Sequence, residues 1–144
     1  MKFKLEIVTP ERLMFSDDID VLTTPTTQGE ISIMAHHVPL VTMIAPGEIK
    51  IKKNKEISFM TVTGGFIQVA MNKVTLLADA AERAEEIDVD RAERARERAR
   101  KMLAEKHLDS ISHTDAVAAL QRSLLRLKVA RHRTTRGGDY GSAQ

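Results

Sequence analysis

The chain has 144 residues, 42% hydrophobic and 29% charged, with 22 Lys and Arg against 20 Asp and Glu, which is globular composition with enough apolar residues for one sizeable core or two small ones. Cys is absent, which excludes disulfides, thiolate metal sites and thiol redox chemistry. No apolar run approaches the ~20 residues that cross a bilayer, and Met1-Lys2-Phe3-Lys4 leads into alternating residues rather than an apolar signal segment, so the expectation is a soluble protein or one held at a membrane by partners.

The totals hide an asymmetry. All 4 Pro lie at or before Pro46, and neither Gly nor Pro occurs in residues 81–136. Residues 1–80 carry 8 basic and 9 acidic side chains, and residues 81–144 carry 14 basic and 11 acidic.

In the first part, Phe3, Leu5 and Ile7 alternate with Lys4, Glu6 and Val8, the period of two that lays one strand face on a core. Pro10 ends it. Residues 19–24, 30–34, 40–44, 48–52, 57–62, 66–71 and 74–78 read the same way, giving eight short strands. The turns between them are Asp17-Asp18, Gln28-Gly29, Pro46-Gly47, Lys53-Asn54-Lys55, Gly64-Gly65 and Asn72-Lys73. No stretch is long enough for a crossover helix, so the spacing predicts an antiparallel β-sandwich or flattened barrel over residues 1–80.

From Ile87 the chain becomes rich in Ala, Arg and Glu, with Asp88 suited to an N-cap and Asp90 to the first turn of a helix. Ala92, Ala95, Ala99, Met102 and Leu103 form one stripe. Such a seam lets a second helix approach closely while removing little apolar area from water. Residues 108–113 form a polar break, Ser112 or Thr114 can cap, and Val117, Leu120, Leu124 and Leu127 mark the apolar face of a second helix. A short connection predicts an antiparallel two-helix hairpin. The reading divides the chain into a β domain (1–80), a connecting hinge (81–86), a hairpin (87–136) stopped by Gly137-Gly138, and a frayed tail (137–144).

Few residues suggest chemistry. Adjacent His36 and His37 point opposite ways in a strand or turn, so a shared metal is not expected. Thr63-Gly64-Gly65-Phe66 lacks the Lys-Ser/Thr and helix of a phosphate loop and reads as a hairpin connection. No catalytic constellation can be argued. The second helix is more telling: Arg122, Arg126, Lys128, Arg131, Arg133 and Arg136 occur with no acid among them. A solvated face is the bland reading; the functional ones are an acidic protein partner, a nucleotide phosphate or a nucleic-acid backbone. With 3% aromatic residues and no binding module, nucleic acid is the least favoured of these.

The order of features resembles the epsilon subunit of bacterial F-type ATP synthases, called delta in mitochondria, over residues 2–133. The resemblance rests on Gly29-Glu30-Ile31-Ser32-Ile33 with His37-Val38-Pro39-Leu40, on Gly64-Gly65-Phe66, and on Ala80-Ala81-Glu82-Arg83-Ala84 followed by the hairpin. One departure stands out: His36 occupies a position usually held by Gly or another small turn residue.

The resemblance implies a non-catalytic rotor subunit at the cytoplasmic face of the membrane, in a complex that translocates protons or sodium ions. Its β domain would contact the gamma subunit and the c-subunit ring. Its hairpin would fold down or extend toward the catalytic alpha and beta subunits, blocking hydrolysis through Arg122, Arg126, Lys128, Arg131 and Arg133. Ile87-Asp88-Val89-Asp90-Arg91-Ala92 also matches the Ile/Leu-Asp-x-x-Arg-Ala motif with which some bacterial members bind ATP. That match assigns ATP contacts to Glu82, Ile87, Asp88, Arg91, Ala92, Arg122 and Arg126, with Arg83 and Arg98 as additions. ATP would be a regulatory ligand and no cofactor or metal is required; the alternative is that Asp88 and Arg91 only cap and pair the helices, ATP binding being lost and the subunit purely structural and inhibitory.

Overall fold

In the computed structural model, residues 1–105 and 107–133 are described, Arg133 by its backbone alone. They fall into two units, one ending at Arg83 and one beginning at Ala84.

The first unit contains ten strands: β1 (Phe3–Val8), β2 (Leu13–Ile19), β3 (Val21–Thr26), β4 (Gly29–Met34), β5 (Leu40–Ile44), β6 (Gly47–Lys53), β7 (Glu56–Val62), β8 (Gly65–Ala70), β9 (Lys73–Ala78) and β10 (Ala81–Arg83). Their order is β10-β7-β6-β3-β5-β8-β9-β1-β2, with β4 paired to β3. Alternation places the core as the sequence predicts: Phe3, Leu5 and Ile7 are buried together with Ile19, Leu22, Ile33, Ile49, Ile51, Met60, Ile67 and Leu76. The unit is a β-sandwich close to a barrel.

Two strands escape the sequence reading. Asp17 and Asp18, read as a turn, lie within β2, where they pair with Leu5 and Lys4. β2 has no ladder partner beyond β1, and such an edge tolerates charge because one side of the strand faces water. Lys53 Nζ donates to Asp17 Oδ2 at 2.5 Å and Lys2 Nζ to Asp20 Oδ2 at 2.9 Å. These bonds hold both carboxyl groups below their usual 3.8. The second missed strand is β10, which pairs with Met60, Thr61 and Val62 of β7.

The purely antiparallel expectation also needs one correction, because β1 enters the sheet beside β9 in parallel, Lys4 opposite Lys73 through Val8 opposite Leu77. The whole domain is the crossover that a parallel pair requires, so no helix is needed. The Gly64-Gly65 segment is likewise no hairpin. It carries the chain from β7, flanked by β6 and β10, to β8, flanked by β5 and β9. Gly64 and Gly65 have φ of 133° and 134°, which side chains rarely adopt. His36 has φ 63°, the left-handed region, which gives the physical reason for a glycine preference there.

The second unit opens with a single 3-10 turn, Ala84–Glu86, and continues with α1 (Val89–Leu103), α2 (Ser110–Ala130) and a last 3-10 turn, Arg131–Arg133. α2 starts earlier than expected. Its N-cap is Asp109, whose Oδ1 accepts from the Ser112 amide at 2.7 Å, while the Thr114 hydroxyl donates to the Ser110 carbonyl inside the helix. The bond from Ser112 also holds the Asp109 carboxyl below its usual value. α2 ends at Ala130; the Gly137-Gly138 stop and the tail lie outside the described residues.

α1 packs on α2, and the turn at Ala84–Glu86 packs against both α2 and the turn at Arg131–Arg133. The start of α1 therefore lies at the end of α2, an antiparallel hairpin. Ala92 and Ala99 are buried on α1, as the seam predicts, but Met102 at its end is 40% exposed. On α2 the buried residues include Ala116, Ser123, Leu127 and Ala130, whereas Leu124 is 46% exposed. Small residues on both helices make the closer approach. Ser123 is compatible with burial because its hydroxyl donates to the Leu120 carbonyl at 2.8 Å.

Candidate functional site

At the start of α1 the local sequence explains the geometry. Asp88 has an extended backbone and its Oδ1 accepts from the Arg91 amide at 3.0 Å, satisfying one of the orphan donors of the first turn. Ile87 and Ala92 on either side of this cap are buried, and Asp88 and Arg91 are exposed. The Arg91 guanidinium is thus presented to solvent beside a helix N-terminus, a combination that attracts anions.

The antiparallel pairing brings this end of α1 to the same end of the hairpin as Arg126 and Arg131. Arg122 lies one turn back from Arg126 on the same face of α2, about 6 Å along the axis. Arg126 is half-buried and Arg122 exposed. Arg98 is ten positions beyond Asp88, about 15 Å along α1. Lys128 stands about 200° round the helix from Arg126, so the cations of α2 do not form one stripe. Arg131 is exposed on the final turn, which also holds Arg133.

Glu82 and Arg83 belong to the β unit. The Glu82 carbonyl accepts from the Thr61 hydroxyl at 3.5 Å, and the Arg83 guanidinium donates to the Met14 carbonyl. His36 donates its amide to Asn72 Oδ1, and His37 Nδ1 lies 2.7 Å from the Val38 carbonyl oxygen. Among the described residues no group of three or more His, Asp or Glu side chains is placed to hold a metal ion.

The β unit has a second feature that the sequence reading did not single out. Across five strands, Met43 pairs with Phe66, Phe66 with Leu77, Leu77 with Val8 and Val8 with Leu13. Cross-strand partners share a face, and this is the outer one. Met43, Phe66, Leu77 and Leu13 are 52%, 52%, 51% and 56% exposed. The next row, Val41, Gln68, Thr75, Glu6 and Ser16, is mostly polar. A continuous exposed apolar row with a mostly polar row beside it is the kind of surface that protein contacts commonly cover. Its sequence signal was the doubled apolar pairs Phe66-Ile67 and Leu76-Leu77, where alternation would have put one polar residue.

Ten strands followed by two helices define a sandwich-plus-hairpin protein, and known proteins narrow that class. Residues 2–84 match the ATP synthase delta/epsilon chain β-sandwich domain, and residues 85–131 match the long α-helix domain of the same chain. The ATP synthase epsilon chain of Dehalococcoides mccartyi (strain BAV1) is 45% identical over 132 residues, covering 92% of this chain and 94% of that one. The epsilon chain of Syntrophobacter fumaroxidans is 44% identical over 129 residues, covering 90% and 96%. That of Pelotomaculum thermopropionicum is 52% identical over 103 residues, covering 72% and 77%. The fold is shared with a chain in the cryo-EM structure of the Euglena gracilis mitochondrial ATP synthase, OSCP/F1/c-ring, at a TM-score of 0.66 and 20% identity, covering 93% of this chain and 80% of that one. This chain belongs to the ATP synthase delta/epsilon family.

Proposed function

We propose that the chain is a non-catalytic subunit of the central stalk of a proton- or sodium-translocating ATP synthase, linking the gamma subunit to the c-subunit ring through its β domain and restraining ATP hydrolysis through its helical hairpin. The observation that carries this is the family match over both units in order. The apolar row from Met43 to Leu13 supports a docked β domain. The basic second helix supports an encounter of the extended hairpin with acidic surfaces of the alpha and beta subunits, through Arg122, Arg126, Lys128, Arg131 and Arg133. No described helix is long and apolar enough to cross a membrane, and attachment at the cytoplasmic face of a bacterial membrane would come through the c ring.

The small-residue seam supports a hairpin that can be released, since Ala and Ser bury little apolar area per contact. In the assembled enzyme, reversing the charge of Arg122, Arg126 and Arg131 together is expected to raise ATPase activity severalfold at low salt, with the difference shrinking at high salt, because each exposed ion pair contributes about 0–1 kcal/mol. Unchanged activity with normal assembly rejects the electrostatic restraint.

ATP is the proposed regulatory ligand of the folded-down hairpin. Arg91, Arg122 and Arg126 would pair with its phosphates, and Glu82, Ile87, Asp88 and Ala92 would read the remainder, with Arg83 and Arg98 at the margin. The gathering of Asp88, Arg91 and Arg126 at one end of the hairpin favours this reading. Calorimetric titration of the pure protein should give saturable heat with ATP and weaken at least about tenfold in Asp88→Ala and in Arg126→Ala, the scale of a charged hydrogen bond. No heat, or one affinity for all three proteins, overturns it.

A further inference from the structure

β10 and β2 stand at the two ends of the strand order, and β2 also approaches β6, where Lys53 donates to Asp17. β10 is only three residues long, yet it is fastened repeatedly. It pairs with β7, the Thr61 hydroxyl donates to Glu82, and the Thr63 amide and hydroxyl both donate to the Ala80 carbonyl just before it, at 3.1 and 3.4 Å. One further bond leaves this pairing altogether: the Arg83 guanidinium donates to the Met14 carbonyl on β2, 69 residues away in sequence.

Met14 is no ordinary ladder residue. The register of β1 and β2 shifts between Ile7, opposite Phe15, and Val8, opposite Leu13, which leaves Met14 as the extra residue of a bulge. A bulge frees main-chain groups from the ladder, and a carbonyl on an edge strand needs a donor from elsewhere. A guanidinium with five N–H groups on a long stem can supply one across the gap between two strand edges.

The other side of Arg83 is equally constrained. The turn at Ala84–Glu86 packs on α2 and on the Arg131–Arg133 turn, so it belongs with the helices. The β unit ends at Arg83 and the helical unit begins at Ala84, so sheet pairing gives way to helical packing between these two residues.

We propose that Arg83 is a latch: it ties β10 to the bulge of β2 and holds β10 in place, so that rearrangement of the helical unit turns on the chain just after Arg83 and does not peel β10 away. The mobility of the helices is taken from the proposed function; the latch itself is not. Its chemistry is one charged donor on a backbone carbonyl, joining the β domain to itself at the point where the chain leaves it.

Native-state hydrogen exchange on the full chain tests this without reference to ATPase activity, so a failure here and a failure of the stalk assignment are separable. In the unsubstituted protein, amides of residues 81–83 should open less readily than those of residues 92–99. In Arg83→Met, amides of residues 81–83 and 14–15 should exchange about tenfold faster, while those of Ile49 and Ile51 in the sheet centre keep their rates. Arg83→Lys, which keeps the charge but loses the planar fork, should lie between the two and supplies the readout if the methionine variant folds poorly. The latch is overturned if residues 81–83 exchange together with residues 92–99 in the unsubstituted protein, if both variants leave the amides of residues 81–83 and 14–15 unchanged, or if Ile49 and Ile51 accelerate by the same factor as those amides.

Discussion

Gly65→Ala is expected to destabilise the β domain severely, more than a methyl group added at any other described glycine. A Cβ built there would sit 2.0 Å from the Leu77 carbonyl oxygen and 2.9 Å from the Ala78 Cα, and both are backbone atoms that cannot rotate away. Moving them would push β9 off its partners, with Gly65 opposite Ala78 on one side and β1 lying along the other. The φ of 134° adds a conformational penalty. Together these place the loss at about 3 kcal/mol or more, a large fraction of the roughly 5–15 kcal/mol that holds a domain. Gly29→Ala is the control: it has φ 116° but nothing within 4 Å of the added atom, so it should lose only the conformational part, about 1–2 kcal/mol. Urea denaturation of the two variants should separate them clearly, and a Gly65→Ala midpoint matching that of Gly29→Ala would show that the close approach carries no energy.

The second large effect is expected at the apolar row. Phe66→Glu with Met43→Glu puts two carboxylates in the middle of a face that the proposed stalk contact would dry. Central interface residues commonly contribute about 2 kcal/mol or more each, and every 1.4 kcal/mol is about tenfold in Kd. Affinity for the isolated gamma subunit should therefore fall at least about a hundredfold, while the thermal unfolding midpoint of the free protein stays near its starting value because both side chains already face solvent. Gln68→Glu, in the neighbouring polar row, should change binding little. Equal binding by the double variant would remove this face from the interface, and loss of binding accompanied by unfolding would be answered by repeating the test with Leu13→Glu at the far end of the row.

What could be read from the sequence followed the strength of local pattern. Strands such as β1 and β6 alternate cleanly because they bury one face, and Phe3, Leu5 and Ile7 or Ile49 and Ile51 announce it. β2 was hidden because Ser16, Asp17 and Asp18 have turn chemistry, and only its position at an edge makes them acceptable in a strand. Ala81-Glu82-Arg83 has no pattern of its own; β7 and Met14 give it its conformation. On α2 the four aliphatic residues Val117, Leu120, Leu124 and Leu127 drew attention to a face that hydrophobicity favours, but close helix packing selected the smaller Ala116, Ser123 and Ala130 around Leu127. Among the site residues, Asp88 was legible because an N-cap is a local event. That Arg91 and Arg126 lie at the same end of the hairpin follows from an antiparallel pairing that the short connection already implied. The apolar row could not be recognised without the strand order, since its members come from β1, β2, β5, β8 and β9.

The parallel pairing of β1 with β9 sets the order in which a newly made chain can fold. β1 is synthesised first, yet its place is between β2 and β9, and the register from Lys4 opposite Lys73 to Val8 opposite Leu77 cannot form until residues 73–78 have emerged. Contacts so distant in sequence close slowly. Until then Phe3, Leu5 and Ile7 form an apolar strip with only β2 to pair beside it. The hairpin depends on near neighbours and can form soon after its own residues emerge. Closure of the β domain therefore waits for one of its last strands, and the strip formed by Phe3, Leu5 and Ile7 stays open to other chains until residues 73–78 have emerged.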